Sequence, residues 1–426
     1  MSANAWILAG VRTPFAKAGG PFRETPAYEL GRVAVGELVA RADLDPARLD
    51  EVILGNCAQP AEAANVGRIT ALRAGIPEAV PAATVHRNCA SGMESVAAAA
   101  YRIGAGAARL VLAGGMESMS QIPLQYTFEY GGWLEGLMRA RTPVQKLAAL
   151  TRFRPRMLQP RIALAEGLTD LVCGLNMGQT AEVLAGEFHI GRERQDAFAL
   201  QSHQRAVAAR ERLREEIAPM FPAPRHQAVL DDVGPRENQS LDQLAKLKPY
   251  FDRRNGTVTV GNSCQVTDGA VALLIGSEDE ARQWSTPPLA RIRSFAFAGL
   301  SPRRMGLGPV FAAAKALAAA GLELSDCELF EINEAFAVQV LACMEAAKSE
   351  AFARAELGRD RALGEFPAER LNVNGGAIAL GHPVGASGAR ILLTLALEMR
   401  RRGLKRGLAA LCVGGGQGAA FVLERD

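Results

Sequence analysis

The chain lacks the features that would mark a secreted, membrane-spanning or nucleic-acid-binding protein. Its 7 cysteines are scattered without a Cys-x-x-Cys pair, which indicates free thiols in a reducing compartment and hence a cytoplasmic location. No run of ~18 apolar residues is free of charge, and residues 1–6 lack the basic start and apolar run of a signal peptide. The net charge of +3 gives no argument for nucleic-acid binding. No metal, flavin, nicotinamide or P-loop motif is present, so no metal and no cofactor are expected.

Strand-like and helix-like segments alternate along most of the 426 residues, which have room for two or three domains. This alternation predicts an α/β protein with parallel-rich sheets covered by helices. The predicted strands of the first half are 6–11, 51–54, 110–113, 257–260 and 271–275. Those of the second half are 290–297, 328–332, 371–373, 409–413 and 419–423. The predicted helices include 29–42, 94–108, 309–320 and 386–401, so the second half repeats the order of the first.

Cys89 lies where a short predicted strand, 83–85, turns into an Ala-rich predicted helix that extends to residue 108. A thiol at this place meets the positive end of the helix dipole and the free N–H groups of the first turn. Both favour the thiolate, which predicts a pKa below the ~8.5 of free cysteine. A buried and inert core cysteine is the alternative for a lone free thiol.

Two glycine-rich turns carry the other candidate reactive groups. His382 lies within the segment 372–390, and Cys412 shortly precedes three consecutive glycines. Such glycine density is typical of chain that bends sharply or packs against a ligand. Of the 5 histidines, His382 alone stands in a Gly-His-Pro turn. A nucleophilic thiol needs a base, and the pairing of Cys with His is its usual means of activation.

In their order and spacing, these segments resemble the signature blocks of the thiolase family. The blocks are the Cys89 turn, Asn-Glu-Ala-Phe at 333–336, Gly-His-Pro at 381–383 and Cys-Val-Gly-Gly-Gly at 412–416. The segments 9–15, 114–120 and 256–263 fit as well, so the resemblance covers nearly the whole chain. It is a resemblance to acetyl-CoA acetyltransferases and 3-ketoacyl-CoA thiolases, with some features of the thiolase subunit of trifunctional β-oxidation complexes.

The resemblance implies a thiolase fold, with two duplicated βαβαβαββ halves packed in five layers, α-β-α-β-α. The implied N-terminal half is 1–121 plus 251–285, and the C-terminal half is 286–426. A mostly helical loop domain, 122–250, would be inserted and would cover coenzyme A. The reactive groups would lie at strand ends near the pseudo-twofold axis between the halves, where ligand sites of such sheets are generally found. A homodimer or homotetramer is also implied.

Residues 128–165 of the insertion, here named the basic hairpin, are unusual in charge. From 136 to 165 they contain seven basic residues and no acidic one, interleaved with large apolar residues. A basic amphipathic helical hairpin can lie on an anionic membrane surface, whereas a lid or an oligomer contact with a solvated rim is the alternative. A second charged extension covers 345–367. Both extensions and the run 266–270 resemble the trifunctional-complex subunit, which implies a hydratase/dehydrogenase partner, although such subunits tend to carry His in place of Asn333.

For the chemistry, the resemblance implies an acyl-CoA C-acyltransferase that cleaves 3-ketoacyl-CoA with CoA, or runs the reverse Claisen condensation, through an acyl-Cys89 intermediate. His382 would take the proton of Cys89, and Cys412 would be acid and base at the α carbon of the acetyl thioester. His382 and a water held by Asn333 would serve the thioester oxygen. The N–H groups of Cys89 and Gly414 would serve the oxygen of the acyl carbon. Acyl-CoA and CoA are the implied substrates, and the chemistry requires no further cofactor.

Met177, Ser263, Cys264, Ala335 and Phe336 are the predicted substrate contacts. Met177 lies in a stretch that resembles the family's pantetheine-contacting turn, although many members have His at the preceding position. Cys264 stands where the family usually has a CoA-contacting Ser. Ala335 and Phe336 are expected to line the acyl or pantetheine groove.

Other classes remain open from the sequence. A decarboxylating ketoacyl synthase shares the architecture, but it lacks the second reactive Cys, so Cys412 and the 333–336 block argue against it. A non-catalytic lipid-binding or scaffolding relative would have lost a reactive residue, and none is lost here. Singly, Cys412 could be a core residue, Asn333 a helix cap and His382 a turn-stabilising imidazole. Acyl chain length and the direction of the reaction stay undetermined.

Overall fold

The fold is an α/β arrangement in which strands and helices alternate, as a computed structural model describes for residues 5–425. The first half contains β1 (Ala5–Arg12), β2 (Ala16–Lys17), α1 (Ala27–Arg41), β3 (Glu51–Gly55), α2 (Val66–Arg73), β4 (Ala82–Val85), α3 (Ser91–Gly104) and β5 (Leu110–Ser118). The leader prediction on residues 1–6 falls mainly on residues 1–4, outside the described residues. The division into domain ranges stays a prediction.

A mostly helical excursion separates β5 from the next strand of the main sheet. It contains β6 (Leu124–Gln125), α4 (Phe128–Arg139), α5 (Pro143–Thr151), β7 (Arg161–Ile162), α6 (Ala163–Gly167), α7 (Met177–Glu187), α8 (Arg192–Ala208), α9 (Arg210–Arg214) and α10 (Leu241–Ala245). The chain then returns through β8 (Thr267–Ser277) and α11 (Glu278–Gln283). The helices α4 and α5 confirm the predicted helical form of the basic hairpin.

The second half repeats the order of the first. It contains β9 (Ala290–Gly299), α12 (Gly308–Ala320), β10 (Leu329–Ile332), α13 (Ala337–Lys348), α14 (Glu350–Phe352), α15 (Ala377–Leu380), α16 (Val384–Arg402), β11 (Arg406–Val413) and β12 (Gln417–Glu424). Short 3₁₀ turns lie at Pro46–Arg48, Met119–Gln121, Pro155–Leu158, Pro302–Leu307, Leu324–Asp326 and Ala368–Arg370, and a π turn at Ala353–Leu357. Helices α12 and α16 end at glycines with φ of 68° and 65°, the left-handed conformation that closes many helices.

The strands of the two halves pair edge to edge. The strand order is β10-β11-β12-β9-β1-β8-β5-β3-β4, and β2 pairs with β8. The halves meet where Ala5–Ile7 of β1 pairs antiparallel with Ala290–Ile292 of β9. The sheet is mixed rather than parallel-rich, because among the strand pairs within residues 5–425 only β3–β4, β3–β5 and β10–β11 are parallel. Antiparallel pairing arises where the chain turns back directly, as between β11 and β12 across three glycines.

The helices lie in three layers around the two half-sheets. Helix α1 packs on the outer side of β5 and β8, and α12 packs on the outer side of β9 and β12. Helices α3 and α16 contact each other and lie between the half-sheets, because α16 touches β5 and β8 on one side and β11 on the other. Strand β3 shows how the residues alternate: Val52 and Leu54 join the α1 core, whereas Ile53 joins the central core. The expected α-β-α-β-α order of the thiolase fold is therefore present.

Two predicted strands are wrong, and side-chain hydrogen bonds explain both. The segment 257–260 is irregular because the Glu182 carboxylate accepts from the N–H groups of Thr257 and Val258 at 3.0 and 2.8 Å. The segment 371–373 makes a single bridge, between Leu371 and Phe330. Asn372 there has a φ of 48°, and its amide takes the place of a strand neighbour by bonding both the N–H and the C=O of Ile332 at 2.9 Å.

Two glycines determine how closely the central helices approach. A Cβ on Gly92 would lie 2.7 Å from the backbone N of Ala389, and a Cβ on Gly388 would lie 2.7 Å from that of Met93. Only glycine permits this backbone-to-backbone contact at both places. The first turns of α3 and α16 are thereby held against each other. Gly92 lies three residues after Cys89, and Gly388 lies six residues after His382. None of the helices within 5–425 has both the length and the apolar character that crossing a bilayer requires.

Candidate active site

Cys89 is held in a tight turn between β4 and α3. Asn88 has a φ of 42°, and its Nδ2 donates to the C=O of Gly414 at 2.7 Å. The Ser91 hydroxyl donates to the C=O of Asn88 at 2.7 Å and accepts from the N–H of Arg87 at 2.9 Å. The Cys89 sulfur receives the N–H of Gly414 and its own N–H. The thiol therefore lies between two backbone donors, which are the groups predicted to face the acyl oxygen.

Burial raises the pKa of the Cys89 thiol, and the negative charge of Glu117 acts in the same direction. The two backbone N–H groups lower the pKa, but by less than burial raises it. The prediction of a pKa below that of free cysteine is therefore wrong. Cys89 does lie at the helix terminus, but the sequence did not reveal how closely the folded chain packs around the thiol, and the resulting desolvation disfavours the charged form.

His382 is buried at the start of α16 with its two ring nitrogens in different surroundings. Its backbone N–H donates to the Thr267 hydroxyl at 3.1 Å, and its Nδ1 lies 2.6 Å from the Ser387 Oγ. Its Nε2 is buried and makes no hydrogen bond with any residue of 5–425. Burial, and to a smaller extent the positive charge of Arg390, together lower the His382 pKa to about 4. The imidazole is thus neutral near pH 7, as a proton acceptor must be.

Cys412 ends β11 in the same region and is 1% exposed. Burial raises its pKa well above the usual value, and three neighbouring thiols, Cys89, Cys343 and Cys264, act in the same direction. The structure therefore brings both predicted reactive sulfurs within electrostatic reach of each other. Cys412 is protonated at neutral pH, which suits a group that is to donate a proton.

Asn333 follows β10 and is completely buried. Its backbone N–H donates to the C=O of Ala410 at 3.0 Å, which fixes the residue beside β11. Its side-chain Nδ2 and Oδ1 bond no other residue of 5–425. Buried amides are normally paired within the protein. An amide left with free donor and acceptor atoms fits the predicted task of holding a water, and it caps no helix.

Glu334 follows Asn333 in the 333–336 block, but the sequence alone indicated no role for it. Its buried carboxylate accepts from the Ser202 hydroxyl at 2.6 Å, the Asn372 amide at 2.9 Å and the Ile378 N–H at 3.2 Å. Burial raises the Glu334 pKa, whereas these donors lower it. A Cβ on Gly376 would lie 2.2 Å from the carboxylate carbon. Glu334 thereby ties the 333–336 block to the loop that leads to His382.

Glu117 is a second buried carboxylate that sequence reasoning passed over. It accepts from the N–H groups of Cys57 at 3.0 Å, Ala58 at 2.9 Å and Gly385 at 2.9 Å. The Cys57 thiol in turn donates to the C=O of Asn88 at 3.0 Å. One carboxylate thus links the end of β5, the Cys89 turn and the start of α16. An acidic residue between glycines and apolar residues at a strand end was the signal that could have revealed it.

Four of the predicted substrate contacts form one strip. The N–H of Cys264 donates to the C=O of Ala335 at 3.0 Å, and Ser263 forms an antiparallel bridge with Phe336. The Ser263 hydroxyl is already used, because it donates to the C=O of Thr259 at 2.6 Å. Burial raises the Cys264 pKa to about 12, and the neighbouring Cys89 thiol contributes. This strip therefore lies beside the nucleophile.

Met177, the fifth predicted contact, lies on the other side of the Gly414 turn. A Cβ on Gly414 would meet the Met177 Sδ at 3.4 Å, an ordinary contact distance. Asn176 before it caps α7, since its side chain accepts from the Gln179 N–H at 2.9 Å while Gln179 returns a bond to the Asn176 N–H. The residue that departs from the family pattern at this position therefore has a structural task.

These residues form a partly enclosed centre with two protonated thiols, one neutral imidazole with a free nitrogen, one unpaired amide and backbone donors. Such a set can attack a carbonyl carbon, move a proton and stabilise charge on two oxygens. It can do so without a metal, because each chemical task falls to a side chain or a backbone N–H.

Comparisons with known proteins match both halves of the chain. The model "Thiolase, N-terminal domain" matches residues 5–279, and the model "Thiolase, C-terminal domain" matches residues 286–425. A 3-ketoacyl-CoA thiolase of Yersinia pestis (strain Pestoides F) is 40% identical over 421 residues, which cover 98% of this chain and 96% of the relative. A 3-ketoacyl-CoA thiolase of Yersinia pseudotuberculosis serotype O:1b (strain IP 31758) matches to the same extent, with 40% identity over 421 residues, 98% of this chain and 96% of the relative.

Solved structures match over the whole chain. The Bacillus anthracis acetyl-CoA acetyltransferase superposes with a TM-score of 0.85 at 36% identity and covers 99% of both chains. Human mitochondrial 3-ketoacyl-CoA thiolase superposes with a TM-score of 0.84 at 37% identity, covering 99% of this chain and 98% of that one. Sequence and fold agree in the same assignment, and the chain belongs to the thiolase family.

Proposed function

We propose that the protein is an acyl-CoA C-acyltransferase that cleaves 3-ketoacyl-CoA with CoA to acetyl-CoA and a shortened acyl-CoA, or runs the reverse condensation. The observation that carries the proposal is the meeting of Cys89, Cys412 and Cys264 thiols beside one strand end, with the free Nε2 of His382 on the adjoining helix start. The names of the matched thiolases support the same substrate class. CoA is a substrate in this reaction, and no cofactor is needed.

In the first step, the Cys89 sulfur attacks the 3-keto carbon as its proton passes to the His382 Nε2. Both partners start neutral, since burial raises the pKa of the thiol and lowers that of the imidazole. Transfer is therefore coupled to attack rather than completed beforehand. The N–H groups of Cys89 and Gly414 are the donors for the oxygen of the acyl carbon, and each such donor is typically worth about 3–4 kcal/mol in the barrier.

In the second part of this step, the bond between the α and β carbons breaks and the acetyl-CoA enolate leaves. The thioester oxygen gains negative charge, and the protonated Nε2 of His382 together with a water held by Asn333 stabilises it. The buried thiol of Cys412 gives its proton to the α carbon. Its raised pKa means that the proton is present at neutral pH for this transfer.

A second CoA then enters along the strip formed by Ser263, Cys264, Ala335 and Phe336. Its thiol gives its proton to the Cys412 thiolate and attacks the acyl-Cys89 carbonyl. The Cys89 sulfur leaves and regains its proton from the His382 Nε2 as the shortened acyl-CoA is released. Phe336 stacks edge-on with Phe251, with ring centroids 5.8 Å apart, and this contact shapes one wall of the groove.

A trapping experiment tests the proposal. Incubation with 3-ketoacyl-CoA without free CoA should leave an acyl group on Cys89, measured as a mass increase of the intact protein. Cys89→Ala should abolish both the adduct and thiolysis. Cys327→Ala is the matched control, because Cys327 is also a buried free thiol but lies at the start of β10, away from the centre. The proposed role is contradicted if Cys327→Ala loses thiolysis while Cys89→Ala keeps it. It is also contradicted if the adduct persists in Cys89→Ala.

A role as the thiolase subunit of a membrane-associated β-oxidation complex is a second proposal, and the surface of the basic hairpin favours its membrane contact. The hairpin exposes large apolar side chains: Phe128 is 90% exposed, Met138 78%, Val144 78% and Leu147 65%. Four of its basic residues form no ion pair with any residue of 5–425; these are Arg141, Lys146, Arg152 and Arg154. Apolar side chains among unpaired cations suit an anionic lipid surface.

Vesicle flotation tests this second proposal. The protein should float with vesicles that contain phosphatidylglycerol and not with phosphatidylcholine alone. The double variant Met138→Glu, Leu147→Glu should lose binding, whereas Leu230→Glu, at an exposed apolar residue outside the hairpin, should keep it. Equal binding to both vesicle types, or none, would contradict membrane contact. Co-purification with a hydratase/dehydrogenase, lost in the same double variant, would show that the hairpin binds this partner of the complex.

Assembly and location complete the proposal. A homodimer or homotetramer is proposed on the family resemblance, and light scattering after gel filtration measures it directly. A cytoplasmic location is proposed because all 7 cysteines are free, in line with a reducing compartment. Acyl chain length is accessible from initial thiolysis rates over a series of 3-ketoacyl-CoA substrates.

A further inference from the structure

Ser387 lies one helical turn beyond the His382 turn and is completely buried. Its Oγ makes two contacts that form a short chain. It donates to the C=O of Pro383 at 3.0 Å, and it lies 2.6 Å from the Nδ1 of His382. None of the reaction steps described above uses this serine, although it is the one side chain among residues 5–425 that bonds the imidazole ring.

The chemistry of the hydroxyl assigns the proton between the two residues. A serine hydroxyl has one proton and two lone pairs, and a carbonyl oxygen can only accept. If the Ser387 proton points to the Pro383 carbonyl, the Ser387 oxygen offers a lone pair to the ring. The Nδ1 of His382 must then carry the ring proton and donate it.

The surroundings of the other nitrogen point to the same tautomer. The Nε2 of His382 is buried, and no residue of 5–425 offers it an acceptor. A proton on Nε2 would leave a buried N–H unpaired and would also place two acceptors, Nδ1 and the Pro383 carbonyl oxygen, in competition for the one hydroxyl proton of Ser387. A proton on Nδ1 gives that N–H an acceptor at 2.6 Å. A buried unpaired donor is costly, so the Nδ1–H form is favoured.

We infer that Ser387 is a positioning residue that holds His382 in the Nδ1–H tautomer and thereby presents the Nε2 lone pair as the proton acceptor. The inference rests on the proposed function. It also accounts for both tasks of the ring. Nε2 first accepts the Cys89 proton. The N–H formed in this way then donates to the thioester oxygen, while Nδ1 keeps its proton throughout.

The chain from Ser387 to the Pro383 carbonyl also supports the charged ring. When Nε2 gains a proton, the cation stands near Arg390, whose positive charge opposes it. Arg390 is partly neutralised by Glu331, to which its Nη1 donates at 3.1 Å. The Ser387 oxygen, polarised by its own bond to a carbonyl, is the acceptor closest to the positive ring.

Infrared difference spectroscopy on protein labelled with ¹³C-histidine tests the inference directly, because the ring C–C stretch differs between the two neutral tautomers. Subtraction of the spectrum of His382→Asn isolates the band of this residue from those of the other four histidines. The wild-type band should be that of the Nδ1–H form. This measurement requires no turnover, so it is independent of the proposed activity.

Variants then connect the tautomer to the rate. Ser387→Ala should lose the Nδ1–H band and lower kcat ~100-fold with little change in KM, the loss expected when a general base is misplaced. Ser387→Thr keeps a hydroxyl and should restore both. Ser95→Ala is the matched control, because Ser95 is also fully buried in the first turns of a central helix, where its Oγ lies 2.8 and 2.7 Å from the backbone carbonyl oxygens of Gly92 and Gly114. It should keep the band and kcat.

An Nε2–H band in the wild-type protein overturns the inference, and that result stands even if Ser387→Ala does not fold. Retention of the Nδ1–H band and of kcat in Ser387→Ala also overturns it. A failure of the proposed function is seen separately, as absence of the acyl-Cys89 adduct in wild-type protein.

Discussion

Two buried asparagines in the same region are expected to respond in opposite ways to truncation. Asn333 and Asn372 are 0% and 1% exposed, and both lie beside the strand β10. The amide of Asn333 bonds no other residue of 5–425. The amide of Asn372 bonds the N–H and C=O of Ile332 and the carboxylate of Glu334, each at 2.9 Å.

The structure gives a magnitude for each variant. Asn333→Ala removes no hydrogen bond within the protein, and the cavity it leaves is offset by the loss of an unpaired amide, so the free energy of unfolding should change by less than about 1 kcal/mol. Asn372→Ala removes three hydrogen bonds at about 1 kcal/mol each. It also places alanine at a φ of 48°, which adds about 1 kcal/mol. The expected loss of stability is about 4 kcal/mol.

Catalytic activity, unlike stability, should be strongly sensitive to Asn333→Ala. Loss of one oxyanion donor lowers kcat about 100- to 1000-fold, equivalent to about 2.7–4 kcal/mol in the barrier. Urea denaturation at one fixed protein concentration measures stability, and initial thiolysis rates measure activity. If Asn333→Ala costs as much stability as Asn372→Ala, or if its thiolysis rate equals that of wild type, the assignment of Asn333 to the thioester oxygen is refuted.

Further predictions concern the thiols, the glycine turn and the buried carboxylate. Cys412→Ala should block deuterium exchange at the α carbon of acetyl-CoA while an acyl adduct still forms on Cys89; normal exchange would remove Cys412 from its role. Alkylation of Cys89 by iodoacetamide should keep rising above pH 8.5, because burial raises the thiol pKa and the reactive thiolate forms only at higher pH; a plateau below pH 8 would contradict this. Gly414→Ala should fold normally, since its methyl would lie 3.4 Å from the Met177 Sδ, but it should raise KM for CoA. Glu334→Gln should lower the urea midpoint, because its new NH₂ group opposes existing donors; an unchanged midpoint would argue against the network.

Much of the centre could be predicted from the sequence because reactive residues lie in short blocks rich in glycine. These blocks predict Cys89, His382 and Cys412 as the reactive groups, and their catalytic roles stay predictions. The alternation of strands and helices is predicted as well, apart from the strands at 257–260 and 371–373. The blocks contain reactive residue types whose presence in such turns is explained by a chemical task and not by packing. They do not reveal the three-dimensional neighbours, so Cys343 was not expected beside Cys412.

What the sequence could not provide depends on contacts between distant segments. The Cys89 pKa follows from how far the folded chain excludes water, which no local pattern records. Glu117 accepts from Gly385, 268 residues away, and Glu334 accepts from Ser202, 132 residues away. The missing strands at 257–260 and 371–373 have the same origin, because distant side chains such as Glu182 took over backbone groups that local propensity assigned to a ladder.

The reciprocal fit of Gly92 and Gly388 restricts how this protein can diversify. Each glycine receives a backbone atom of the opposite helix, so neither helix can slide or gain a residue without a rotation of about 100° and a shift of about 1.5 Å per residue. Such a change would carry the sulfur and the imidazole apart. New acyl specificities are therefore expected outside this pair of helices, above all in the excursion between β5 and β8, where length and composition can vary while the central pair stays unaltered.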